Sequence, residues 1–244
     1  MTSLVRCVAL GAVVALLSGG VWARDAVLFV CAHPDDLGGC SGTAMRLAER
    51  FDVHVLDYTH GERGLGEEGY RDGSVRKLRT QEETEACAIA GVTLHWFDEI
   101  DGEAGASIDA AQRLAKVFKA LNPRALVLHW PIDTHTDHVM SAAAALKAVE
   151  LAGMSPEVYF QEQPHQTRSF RPTRYVDISS VKARKDRLIM CYRCQWPEAM
   201  RVRKTEDARF RGREAGFEFA EAFGEMRGTV PSGKGIFDEI AGVR

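Results

Sequence analysis

One stretch constrains this chain more than any other: Val27-Leu-Phe-Val-Cys-Ala-His-Pro-Asp-Asp36. An apolar, β-branched run stopped by proline and charge is the pattern of a strand buried on both faces, as in the middle of a parallel sheet. Open α/β sheets bind their ligands just beyond the carboxyl ends of such strands. Here that position holds the imidazole of His33 and the carboxylates of Asp35 and Asp36.

Downstream, strand and helix patterns alternate. Gly38, Gly39 and Gly42 make 38–42 a flexible turn ahead of a helix over 43–50, and 53–59 alternates as a second strand. A Gly-, Glu- and Arg-rich loop over 60–74 is long enough to be functional in a compact domain. Helices follow over 75–90, closed by Gly91, and over 108–121, closed by Asn122-Pro123. Strands are predicted over 93–97 and 125–130, and a loop through His138 leads into an Ala-rich helix over 139–151. Strands over 157–161 and 175–178, helices over 179–191 and 203–223, and an irregular tail from Gly228 complete the pattern. This alternation predicts an α/β fold with a mostly parallel sheet and helices on both faces. No Gly-x-Gly-x-x-Gly follows the first strand, which argues against a dinucleotide fold.

Residues 1–23 carry Arg6, an apolar stretch over 7–21 and the small-residue ending Val21-Trp-Ala23. That is the pattern of a secretory signal peptide, too short and Gly-interrupted for a spanning helix. The expectation is a single domain over 24–244, secreted or periplasmic, with no stable membrane insertion after cleavage. The formal charge of −3 gives no basic field for nucleic acid, and the basic residues over 168–213 are interleaved with acids. Of six cysteines, Cys7 lies in the leader, Cys31 and Cys87 read as buried, and Cys191 and Cys194 are spaced to bridge. Oligomeric state is left open.

A second polar cluster, His135-Thr-Asp-His138, also follows a core strand. A catalytic zinc takes three protein ligands from His, Asp or Glu and keeps one position open. Adjacent carboxylates in an extended segment point in different directions, so Asp35 and Asp36 divide the work. Asp36 joins His33 and His138 as a metal ligand, and Asp35 is left to take a proton from water acidified by the metal. His135 then donates to the oxyanion, with Asp137 fixing its tautomer. His54, His60, His95, His129 and His165 read as scattered polar-core or surface residues.

At these residues the chain resembles the LmbE-like, or PIG-L, family of zinc-dependent N-deacetylases. The resemblance is carried by Ala32-His-Pro-Asp-Asp36 and His135-Thr-Asp-His138, with Thr59-His-Gly-Glu-Arg-Gly64, Arg79, Glu82, Gly91 and Asp101-Gly102 between them. It spans roughly residues 26–224. It implies a Rossmann-like fold and one Zn2+, with Fe2+ as the alternative, on His33, Asp36 and His138. It implies Asp35 as base and as acid for the leaving amine, and His135 as oxyanion stabiliser. Arg63 in the long loop and Asp101 in the acidic turn are the candidates for holding substrate. The chain departs from the family where an acid is usual just after the first motif: it has Leu37 and Gly38. The expected activity is hydrolytic removal of acetyl from an N-acetylglucosamine-type amino sugar. An amidase acting on a larger sugar-amide conjugate and a non-catalytic carbohydrate-binding protein are the alternatives.

Overall fold

The predicted central strand is β1 (Ala26–Cys31), flanked by β2 (Asp52–Thr59) and β4 (Ala125–His129). The computed structural model describes residues 24–244, so the leader expected over 1–23 lies outside the described residues. Outside β2 runs β3 (Thr93–Glu99), and outside β4 runs β5 (Glu157–Gln161), all four contacts parallel. Two further strands, β7 (Ala220–Glu225) and the edge strand β6 (Arg174–Asp177), extend the sheet antiparallel beyond β5. The order is β3-β2-β1-β4-β5-β7-β6. Successive strands therefore leave β1 in opposite directions, and the crevice between the ends of β1 and β4 is where such a sheet takes a ligand.

Among the described residues, seven α-helices cover the sheet: α1 (Leu37–Leu47), α2 (Glu67–Arg71), α3 (Ser74–Ala90), α4 (Ile108–Leu121), α5 (Thr136–Ala152), α6 (Lys182–Ile189) and α7 (Pro197–Ala215). Alternation along β1 separates two cores. Val27, Phe29 and Cys31 pack with Met45 of α1, Ala86 of α3, Leu188 of α6 and Met200 of α7. Leu28 and Val30 pack on the other face with Leu114 and Phe118 of α4 and Ala145 of α5. No helix among the described residues is long and apolar enough to cross a membrane.

Several elements differ from the sequence expectation. The Gly-rich 38–42 segment is helical, because α1 starts at Leu37. Glycine disfavours helix by about 1 kcal/mol relative to alanine, but close neighbours require it here. A Cβ on Gly42 would lie 2.7 Å from Ile178 Cγ2, and one on Gly39 would lie 3.0 Å from Gln163 Nε2. The 60–74 loop contains α2, and α5 begins three residues early, which puts Asp137 and His138 in its first turn. The helix expected over 203–223 ends at Ala215, where Gly216 takes φ +74°, and the chain returns as β7. Cys191 and Cys194 are both free.

Glu221 of β7 ties the antiparallel extension to α1. Its carboxylate accepts the main-chain N–H groups of Gly42 (3.0 Å) and Thr43 (2.7 Å), and the buried Lys185 ammonium at 2.5 Å. Removing one member of a buried pair leaves the other charge uncompensated, which costs about 3–5 kcal/mol. Glu221→Ala is therefore expected to lower the unfolding free energy by about that amount in urea titrations. The apolar pair Glu221→Leu with Lys185→Met should recover much of it, and a loss under about 1 kcal/mol would count against this anchor.

Candidate active site

His33, Asp35 and Asp36 follow β1, and His135, Asp137 and His138 open α5 just after β4. The chain turns tightly beyond β1, with Asp36 N–H donating to His33 O at 3.2 Å. The same turn folds the Asp36 side chain back, so that its Oδ2 accepts from His33 N (2.8 Å) and Ala32 N (3.1 Å). Asp36 thereby becomes the hub of three imidazoles. Oδ1 lies 3.3 Å from His138 Nε2, and Oδ2 lies 3.2 Å from His129 Nε2 and 3.5 Å from His33 Nδ1. The His129 and His138 rings stack with centroids 4.1 Å apart, and Asp133 Oδ2 stands 3.3 Å from His138 Nδ1. On its other edge, His33 Nε2 meets Asp137 Oδ2 at 3.1 Å and Asp101 Oδ1 at 3.3 Å.

Asp35 points elsewhere. Its backbone takes φ +94°, a region that a β-substituted residue enters only when its surroundings hold it there. The buried Arg79 of α3 supplies that hold by pairing with Asp35 Oδ1 and donating to Pro34 O. Glu83, one turn further on, accepts the Asp35 N–H at 3.1 Å. Arg79 also donates to Gly61 O at 3.2 Å, and Gly61 is glycine for cause: φ is +60° and a Cβ would lie 2.5 Å from the guanidinium. Asp35 and Arg79, with His33, Asp36, His135 and His138, line a cavity of about 520 Å³, within the usual range for small-molecule sites.

The donor set fits a divalent cation. Three overlapping triples have ligand atoms within 4.8 Å of one another: His33, His135 and His138; Asp36, His129 and His138; and His33, Asp101 and Asp137. The expected set His33, Asp36 and His138 is not one of these triples but straddles the first two. Buried polar atoms with no hydrogen-bond partner, His135 Nδ1 and Asp137 Oδ1 among them, lie in the same cluster. Without a metal, protons take up part of the negative charge. Burial opposes charging of His138, but Asp36 and Asp133 raise it to about 9. Burial likewise opposes charging of His33, which Asp101, Asp137 and Asp36 hold well above the usual range. Burial and the neighbouring His138 push His129 down to about 4, so that ring is neutral. Asp36, despite burial, is held well below the carboxylate range by His138 and His129.

Other placements differ from expectation. Asp137 does not touch His135: residues two apart at a helix start face different ways, and Asp137 instead accepts from Gly102 N at 2.7 Å and meets His33. Asp101 lines the cavity, with one oxygen on His33 and the other accepting from Arg63 N at 3.0 Å. Arg63 lines the cavity, with its guanidinium on Glu103 and over the Tyr70 ring. His129, read as one of the scattered histidines, sits in the cluster as the last residue of β4. Its place at a strand end was the available signal. Gln163, Trp196 and Lys204 also line the cavity, and nothing in their local sequence marked them.

A raised histidine pKa stabilises the fold below the unfolded value and loses that contribution as pH climbs through the folded one. For His138 the window runs from about 6.5 to about 9. Glu83, lifted by burial to about 7, acts in the same direction from about 4.5 upward. Chelator-treated protein is therefore expected to lose stability steadily from pH 6.5 to 9, while metal affinity rises over the same interval as competing protons leave. Denaturant titrations across that range check it, and a metal-free stability that rises toward pH 9 would contradict it.

The profile of the family described as PIG-L: GlcNAc-PI de-N-acetylase matches residues 28–149. The 4-oxalmesaconate hydratase of Pseudomonas putida is 30% identical over 189 residues, covering 69% of this chain and 73% of its own length. The diacetylchitobiose deacetylase of Thermococcus kodakarensis is 28% identical over 190 residues, 70% of each chain. Among solved structures, the 4-carboxy-2-hydroxymuconate hydratase of Pseudomonas putida aligns with a TM-score of 0.74 at 25% identity, over 85% of this chain and 98% of that one. The chain belongs to the PIG-L, or LmbE-like, family.

Proposed function

We propose that the protein is a divalent-metal-dependent hydrolase that removes the acetyl group from an N-acetylglucosamine-type amino sugar. The observation that carries this reading is the division between two adjacent carboxylates. Asp36 is turned into the imidazole cluster, while Asp35 is held out of it by Arg79 and faces the cavity. The family description and the Thermococcus kodakarensis relative support an amino-sugar amide as substrate.

His33, Asp36 and His138 are the side chains that would hold the ion, and their nitrogen and oxygen donors suit zinc or ferrous iron. The chemistry a divalent ion supplies there is Lewis acidity, toward the acyl oxygen and toward water. Asp35 takes the proton from the attacking water. Burial lifts its carboxyl above the ordinary range, against the pull of Arg79, so it can hold that proton and deliver it to the departing amine. Burial and the neighbouring His33 keep His135 neutral, leaving one N–H to donate to the developing oxyanion. Trp196 is 74% exposed where it lines the cavity, and its flat apolar face suits a sugar ring.

The Pseudomonas putida relatives favour a second reading, addition of water to an unsaturated substrate by the same base and ion. Acetate separates the two, since only the deacetylase releases it. The deacetylase reading predicts chelator-sensitive release of acetate and free amine from N-acetylglucosamine or its short oligomers. Asp35→Ala should keep one equivalent of metal yet lose about 10²–10⁴-fold in turnover, the usual span of general acid–base catalysis. His138→Ala should lose the metal. Undiminished turnover in Asp35→Ala, or stoichiometric metal in His138→Ala, would contradict these roles. The leader pattern supports export, and N-terminal sequencing of protein recovered outside the cytoplasm should begin at Arg24; retention of Met1 would refute it.

A further inference from the structure

We propose that the substrate carries an anionic oxyacid group, a carboxylate or a phosphate, and that the Lys204 ammonium receives it at the wall of the same cavity. The chemistry of the rest of that substrate rests on the deacetylase reading; the anion site does not. Lys204 is 7% exposed, and a lysine is seldom buried so far without an ionic partner. Three other cations of this region have partners. Arg79 pairs with Asp35, Arg63 with Glu103, and the more deeply buried Lys185 with Glu221.

Among the described residues, Lys204 Nζ makes a single hydrogen bond, to the neutral Gln163 Oε1 at 2.6 Å. That amide is locked from its other end, because Gln163 Nε2 donates to Asp36 O at 2.9 Å. Gly39 leaves room for the arrangement, since a Cβ there would press on Nε2 at 3.0 Å. An ammonium has three donors, and the remaining two have no acceptor among the described residues. Asp207, one turn along α7, has a buried Oδ2 with no hydrogen-bond partner, and it forms no ion pair with Lys204 among the described residues. Asp35 and Asp36 are already engaged by Arg79 and the imidazoles.

Lys204 therefore sits two hydrogen bonds from Asp36, and an anion on it belongs to the same bound molecule as the acyl group. Arg203, exposed on the cavity wall, takes part in no ion pair among the described residues and offers a second cation. Burial and the nearby Lys185 draw the Lys204 ammonium below its usual range, and a bound anion would reverse that. A neutral sugar would leave the charge uncompensated in a site it helps to desolvate.

The test titrates metal-loaded full-length protein calorimetrically with N-acetylglucosamine, N-acetylmuramic acid (a carboxylate) and N-acetylglucosamine 6-phosphate, following amine release in parallel. At least one of the two anionic sugars should bind tenfold or more tightly than the neutral one, and the better of the two identifies the group. In Lys204→Met the anionic-to-neutral ratio should fall at least fivefold, while Lys204→Arg should retain most of it. Equal binding of all three by the wild type overturns the inference without reference to any variant. A ratio unmoved in folded Lys204→Met overturns the role of Lys204. Preferential binding of an anionic sugar with no amine released from any of the three would overturn the deacetylase reading and leave the anion site standing. Binding of none at millimolar concentration would overturn both.

Discussion

Neighbouring strands of a sheet run about 4.8 Å apart, so the loops that leave the same ends of two paired strands are forced together. The parallel pairing of β1 with β4, Val27 beside Ala125 through Phe29 beside Val127, is that constraint here. It brings His33 and Asp36 to His129 and His138 across roughly a hundred residues of sequence. β2 and β4 lie on opposite sides of β1, so no crossover helix closes the crevice between these loops. The two cores on either face of β1 hold the pairing in place.

Within the crevice, charge decides orientation. Asp36 accepts two main-chain N–H groups as well as three imidazole contacts, which leaves its carboxylate little freedom. Asp35, one residue earlier, is twisted the other way by a buried guanidinium that also grips Pro34 O and Gly61 O. A single arginine thus sets the backbone conformation that separates two neighbouring acids. The cost of φ +94° at Asp35 is spread over α3, since Glu83 of the same helix takes the Asp35 N–H.

Much of this was legible in the sequence because its causes are local. An apolar run ended by His-Pro-Asp-Asp names a buried strand and its polar end, and Gly91 and Asn122 mark helix ends through left-handed backbone. What escaped has non-local causes. Helix at 38–42 depends on Ile178, Glu221 and Gln163 pressing where only glycine fits. β7 was lost in a pattern that suits both a helix and a strand, and only Gly216 marked the break. His129 could not be told from other buried histidines until β4 was set beside β1. Lys204 comes from α7, far along the chain, and its lack of an ion pair is a property of the packing around it that no local pattern carries.

The central proposal is that the parallel pairing of β1 with β4 builds one divalent-metal site from His33, Asp36 and His138. Anomalous diffraction at the zinc edge from crystals of metal-loaded protein tests it most directly. The account predicts one full peak within about 2.0–2.2 Å of a donor atom from each of the three. A peak ligated by Asp36, His129 and His138 instead, or only surface peaks with this cluster empty, would contradict it.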